Sequence, residues 1–137
     1  MNDIILITGA SSGFGKATAK RFADSDATVI ITGRDKMRLE TAAAQTGAVP
    51  FCADATQPSD WKALREFIER EYGRLDLLIN NAGGGVAIKE VAEQTPDEID
   101  RSISLNLCSV IYGCREFAPL FKRQSGGTII NVSSGCA

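Results

Sequence analysis

The segment Thr8-Gly9-Ala10-Ser11-Ser12-Gly13-Phe14-Gly15 sits directly behind the apolar run Ile4-Ile5-Leu6-Ile7 and directly ahead of a stretch with helical spacing. A strand, a glycine-rich turn and a helix start thus follow one another in the order that α/β folds use. A helix N-terminus carries backbone N–H groups without intrahelical partners and a partial positive charge, which together favour a phosphate or pyrophosphate. In that role Gly9 permits the tight turn, Gly13 lets the backbone approach the anion, and Gly15 lets the helix pack close to the strand.

The spacing separates this turn from two related ones. Gly-x-Gly-x-x-Gly does not fit, because three residues stand between Gly9 and Gly13. A P-loop does not fit either: Ala10 takes the place of its first glycine and Ala17 that of its hydroxyl. Thr-Gly-x-x-x-Gly-x-Gly instead resembles the turn of the short-chain dehydrogenase/reductase family.

Beyond the turn the chain alternates regularly. Short apolar runs at Ile4 to Ile7, Thr28 to Thr32, Val49 to Cys52, Leu75 to Asn80 and Thr128 to Val132 read as buried parallel strands. Helical patterns lie between them. The first, Phe14 to Ala23, spaces Phe14, Ala17, Thr18 and Phe22 along one face. The second runs from Asp35, as N-cap, to Ala44, with Gly47 as its stop. The third starts near Pro58-Ser59-Asp60 and carries Trp61, Leu64, Phe67 and Ile68 before Gly73. The fourth begins at Thr95-Pro96 and is expected to run unbroken through Ile99, Ile103, Leu107, Val110 and Ile111 to about Phe121. Such alternation predicts one α/β domain over residues 1–137, a doubly wound, Rossmann-like parallel sheet of strand order 3-2-1-4-5.

Ligands in such sheets bind beyond the carboxyl ends of the strands, near the point where strand order reverses. Each predicted strand end carries a candidate. After the second comes Gly33-Arg34, with no acid at the strand end to repel a phosphate and then a planar donor suited to one. That pairing predicts NADP(H) in preference to NAD(H), although Asp35 next door offers an acid for a ribose 2′-hydroxyl. Asp54-Ala55 follows the third strand and Asn80-Asn81-Ala82-Gly83 the fourth. The adjacent amides can tie neighbouring loops together, and Ala82-Gly83 leaves room for a flat ring. Ser133-Ser134 follows the fifth strand, and Asn106 lies mid-helix between two leucines, where asparagine is a poor helix former.

Asn80-Asn81-Ala82-Gly83 resembles a second signature of short-chain reductases, at the strand where they carry it. The resemblance implies roles for these residues. Gly9, Ser11, Ser12, Gly13, Phe14 and Gly15 would hold the pyrophosphate, Arg34 the 2′-phosphate, and Asp54 and Ala55 the adenine. Asn80, Ala82 and Gly83 would flank the inner ribose and nicotinamide. Asn106 would disturb its helix and hold a water in a proton relay, and Ser134 would hydrogen-bond the substrate oxygen. The implied activity is hydride transfer between NADPH and a small-molecule carbonyl or alcohol. Members also carry Tyr-x-x-x-Lys beyond the serine, and neither Tyr72 nor Tyr112 has a lysine four residues on. The chain is therefore expected to be the amino-terminal, cofactor-binding half, truncated after the fifth strand and inactive alone. A nucleotide-binding module without catalysis stays open as an alternative, as does a sugar-nucleotide epimerase or dehydratase, against which the glycine spacing argues.

Composition narrows the partners. With 44% hydrophobic and 23% charged residues among 137, the chain is an ordinary globular domain. A net charge of −2 gives no footprint for nucleic acid or an anionic membrane. No apolar run approaches a membrane span, and the start lacks the pattern of a signal peptide, so the cytoplasm is expected. Cys52, Cys108, Cys114 and Cys136 form no Cys-x-x-Cys pair, and Cys52 and Cys108 are expected to be buried. With no histidine, neither a metal site nor Ser-His-Asp chemistry is expected. A half-domain would leave the fifth strand's edge and the Ile99, Ile103, Leu107 and Ile111 stripe uncovered, so a homo-oligomer is expected.

Overall fold

The computed structural model describes residues 2–134; Met1 and residues 135–137, Cys136 among them, lie outside the described residues. Strands β1 (Ile4–Ile7), β2 (Thr28–Gly33), β3 (Val49–Cys52), β4 (Leu77–Asn80) and β5 (Thr128–Asn131) form one parallel sheet. Their order is β3-β2-β1-β4-β5, as the alternation predicts. Leu6 of β1 faces Ile30 of β2 on one side and Leu78 of β4 on the other.

β1 is buried along its whole length because both of its faces are covered. Ile5 and Ile7 pack with Val29, Ile31, Ala19, Leu39 and Ala42, the layer of helices α1 (Gly13–Ala23) and α2 (Lys36–Thr46). Ile4 and Leu6 point the other way, into Ile30, Trp61, Leu64, Ile68, Leu78 and Phe117. That second layer belongs to α3 (Pro58–Tyr72) and α5 (Ser109–Arg123). The period of two along β1 thus feeds two cores.

Local chemistry sets the helix ends. The Asp35 carboxylate accepts from Arg38 N at 3.0 Å and caps α2, and Gly47 closes it in the left-handed region at φ 77°. Gly73 does the same for α3 at φ 72°. Thr95 caps α4 (Pro96–Ile103) with a complete capping box. β4 begins at Leu77 rather than Leu75, because the Asp76 carboxylate accepts from Ile4 N at 2.7 Å and turns the chain into the sheet. β5 ends at Asn131, one residue short of Val132.

Three expectations need correction. The inward face of α1 is Gly15, Ala19 and Phe22, not Phe14, Ala17, Thr18 and Phe22; Phe14 is 90% exposed. Small residues win that face because the helix lies so close to the turn: a Cβ on Gly15 would meet Gly9 O at 2.8 Å. The long helix is not continuous either. Between α4 and α5 a single π-turn, Ser104–Cys108, widens the ladder, and Ser109 N reaches back to Ser104 O. Finally, Cys52 is exposed, since β3 is an edge strand with alternating burial. Ile99, Ile103, Leu107 and Ile111 are 38–55% exposed, while Ser109, Gly113, Phe117 and Leu120 face the core. Among the described residues no helix is long and apolar enough to cross a membrane.

Candidate functional site

Strand order reverses between β1 and β4, so the loops leaving their carboxyl ends diverge and open a crevice. The structure shows a cleft of about 670 Å³ there. Gly9, Ser11, Ser12, Gly13, Phe14, Gly15, Arg34, Asp54, Ala55, Ala82, Gly83, Asn106 and Ser134 all line it. Every predicted site residue except Asn80 is therefore in one place.

The glycine turn is built from tight contacts. Gly9 has φ 63°, and a Cβ on it would meet Ala82 Cα at 2.7 Å, so no side chain fits. The Thr8 hydroxyl accepts from Asn81 N at 3.1 Å and Ala82 N at 3.0 Å. Asn81 Nδ2 in turn donates to Thr8 O at 3.0 Å and Gly9 O at 3.2 Å. The amide pair thus ties the β1 and β4 loops together, through Asn81. Gly13, at φ 57°, has open space where a Cβ would stand. Ser12 precedes α1 in extended conformation and makes no side-chain capping bond. The N–H groups of Ser12, Gly13 and Phe14 have no hydrogen-bond partner among the described residues. They remain available to an anion in the cleft.

At the end of β2, Arg34 lines the cleft and Asp35 does not. The Asp35 carboxylate is engaged as the α2 cap. Gly33 stands against Ser11, whose Cβ and Oγ lie 3.3 Å from where a Gly33 Cβ would be. The loop after β3 is fixed from two sides. Asp54 Oδ1 accepts from Thr56 N at 2.9 Å and Thr56 Oγ1 at 2.8 Å, and Asp54 N donates to Asp60 Oδ2 at 2.8 Å. Ala55 O accepts from Trp61 Nε1 at 2.9 Å.

Asn80 lies behind the cleft rather than in it. It is 2% exposed, and its Nδ2 donates to Asn131 Oδ1 at 2.9 Å. Its carbonyl accepts from Val132 N at 3.0 Å, which aims the chain toward Ser133-Ser134. A strand-end side chain packed against α5 and Asn131 cannot also face the ligand side.

Asn106 sits in the π-turn, and its amide grips the β4 loop. Nδ2 donates to Gly84 O at 2.9 Å and to Ser102 O at 3.0 Å, and Oδ1 accepts from Gly84 N at 2.9 Å. The two bonds to Gly84 hold the Gly83-Gly84 backbone at the cleft edge. Both amide hydrogens are engaged, so the group can still meet a water only through an oxygen lone pair.

Thr32, Ala53, Asn81, Gly84, Leu105, Val132 and Ser133 also line the cleft and were not predicted to bind there. Thr32, Ala53 and Val132 flank strand ends, so the strand-end rule alone reaches them. Both tyrosines are elsewhere. Tyr72 and Tyr112 pack against the α3–α5 core, and burial, with Glu71 adding, pushes the Tyr72 phenol above its ordinary value.

The short chain dehydrogenase family model matches residues 3–137. The chain belongs to the short-chain dehydrogenase/reductase family. A 3beta-hydroxysteroid dehydrogenase of Mediterraneibacter gnavus is 41% identical over 96% of this chain and 49% of its own length. A 7alpha-hydroxysteroid dehydrogenase of Bacteroides fragilis is 34% identical over 97% of this chain and 54% of its own. Among solved structures, a metagenomic short-chain oxidoreductase in complex with NADP superposes with a TM-score of 0.90 at 31% identity, over 96% of this chain and 62% of that one. The chain spans about half the length of these two curated relatives, and 24% of another, the probable oxidoreductase EphD of Mycobacterium tuberculosis. As a short-chain reductase sequence it thus corresponds to the part that carries the glycine turn and the Asn-Asn-Ala-Gly loop.

Proposed function

We propose that the chain is the cofactor-binding half of an NADP(H)-dependent oxidoreductase that moves a hydride between the cofactor and a carbonyl or alcohol. The observation that carries this reading is the α1 turn, whose N–H groups lack internal partners beside Arg34 in one cleft. The residues present fit a dinucleotide. Gly9 and Gly13 offer backbone without side chains, and Gly33 leaves no acid at the strand end. The α1 turn would hold the pyrophosphate, Arg34 the 2′-phosphate, and Asp54 with Ala55 the adenine. Ala82 and Gly83 would border the nicotinamide, with the Gly84 backbone held by Asn106. When bound, the nicotinamide supplies or accepts the hydride. Ser134 would hydrogen-bond the substrate oxygen, and Asn106 would keep a water on its remaining lone pair for proton relay. The hydroxysteroid dehydrogenases among the relatives support a secondary alcohol and ketone as substrate class.

Arg34→Ala tests the cofactor assignment. Losing a charge-assisted contact of about 1.5–3 kcal/mol should weaken NADPH about tenfold to a hundredfold and leave NADH nearly unchanged. Calorimetric titration of both cofactors reads it, and an equal loss for the two would contradict the role of Arg34.

One observation favours a second reading, a binding module without turnover. No tyrosine lines the cleft, and a positioned general acid contributes about 10²–10⁴-fold to such reactions. Under this second reading the chain binds NADPH without oxidising it against a panel of ketones, and so does any longer product of the same frame, whereas turnover confined to a longer product would favour the first reading. Turnover by the 137 residues would require another acid in the cleft. The exposed stripe Ile99, Ile103, Leu107 and Ile111 supports self-association, readable by sedimentation.

A further inference from the structure

Trp61 is the chain's only tryptophan, and it lies in the first turns of α3, 3% exposed. Its Nε1 donates to the Ala55 carbonyl at 2.9 Å, in the loop that leaves β3. The ring is seated against α5. A Cβ on Gly113 would meet Trp61 Cη2 at 2.7 Å, so the indole occupies the space a side chain there would need. The Phe117 ring meets it edge-on, with centroids 6.4 Å apart. On the other side, the void bordered by Trp61, Ala53, Asp54 and Ala55 holds about 10 Å³, room for one water at most. With α5 behind it, the indole is a wall into which the loop cannot sink.

The backbone groups around Ala55 are engaged in turn. Asp54 N donates to Asp60 Oδ2 at 2.8 Å, Thr56 N to Asp54 Oδ1 at 2.9 Å, and Gln57 N to Asp54 O at 3.0 Å. Trp61 takes the Ala55 carbonyl. The Ala55 N–H, by contrast, has no hydrogen-bond partner among the described residues. A trans peptide points its N–H opposite to its carbonyl. Asp54 O turns in toward Gln57, so the Ala55 N–H turns out, and Ala55 lines the cleft.

We propose that Trp61 is a positioning residue for the base of the cofactor: by fixing the Ala55 carbonyl, its indole N–H locks the loop in the conformation that offers the Ala55 N–H to a ring nitrogen of adenine. The inference rests on the NADP(H) reading of the cleft. Trp61 acts through Ala55 and touches no cofactor atom itself. The rigidity matters for selection among bases. Adenine presents a lone pair at ring N1, whereas hypoxanthine presents an N1–H there. A fixed donor meets a partner in the first and a second donor in the second. A loop free to shift would relieve that opposition and lose the selectivity.

Calorimetric titration with NADPH and with its hypoxanthine analogue tests this, because the two differ only in the base. The wild-type protein should prefer NADPH about tenfold. Trp61→Phe keeps an aromatic ring and removes the N–H. It should weaken NADPH about fivefold and the analogue less than about twofold, so that the preference shrinks. A merely structural role for Trp61 would weaken both ligands equally. Should Trp61→Phe fold poorly, replacing Trp61 by its benzothiophene isostere keeps the bicyclic shape, removes only the N–H and should give the same shrinkage. An equal loss for the two ligands, or a preference that survives removal of the N–H, would overturn this inference alone. So would binding of both ligands by the wild type without preference. Failure of the wild type to bind either would overturn the NADP(H) reading and this inference with it.

Discussion

At the start of α4, Thr95 Oγ1 accepts from Glu98 N at 3.2 Å and Glu98 Oε2 accepts from Thr95 N at 2.8 Å, whereas at the start of α1 the N-cap Ser12 accepts nothing. α4 also places Asp97 and Glu98 in its first turn, and α1 places no acid there. The two helices carry the same orphan donors and the same partial charge. In α4 the chain satisfies them with its own side chains, close to the surface. In α1 it surrounds them with glycines and leaves them facing a cleft. The contrast teaches that two helix starts with the same electrostatics can be left in different states, one closed by its own side chains and one, held by neighbours such as Asn81, with donors that an anion could use. α2 makes the point again within one residue pair: Asp35 finishes the helix, and Arg34 is left to the cleft.

The strongest way to break the contrast is to finish α1. Ser12→Asp supplies a capping carboxylate where a pyrophosphate would sit. We expect stability to hold or rise by up to about 1 kcal/mol, while NADPH affinity falls about a hundredfold or more through lost donors and charge repulsion. Thermal unfolding with calorimetric titration measures both; unchanged NADPH affinity would show that the α1 donors are not used.

The converse change should leave the cleft alone. Thr95→Ala opens the α4 box and should cost about 1 kcal/mol of stability with no change in NADPH affinity. Glu98 gives the same box a pH dependence of smaller size. Its hydrogen bond with Lys89, then that with Thr95 N, holds its carboxyl below the ordinary glutamate value. A lowered folded value means that the contribution is present above the unfolded value and disappears as pH falls through the folded one. The stability gap between wild type and Glu98→Gln should therefore close on acidification in denaturant titrations, and a gap that widened would reverse the assigned sign.

Sequence patterns were sufficient where one physical cause dominated. Five apolar runs with caps and glycine stops between them dictate the parallel sheet and its order, since Asp35, Thr95, Gly47 and Gly73 act locally. The cleft was legible for a related reason, because strand ends converge wherever the order reverses. What escaped depends on tertiary geometry. The face of α1 follows from how near Gly15 comes to Gly9, which helical periodicity cannot express. The π-turn coincides with Asn106, whose side chain grips Gly84, twenty-two residues away in sequence. Asn80 reads like its neighbour Asn81, yet strand alternation sends it to the α5 face of the sheet, against Gly113.

The central claim is that the open donors of α1, and not the closed ones of α4, receive the cofactor. An amide chemical-shift titration of isotope-labelled protein with NADPH tests it directly. The account predicts that Ser12, Gly13, Phe14 and Gly15 shift most, with Arg34 and Ala55 following, while Asp97, Glu98 and Ile99 stay in place. Saturation with NADPH that left the α1 amides unmoved, or that moved the α4 amides instead, would contradict it.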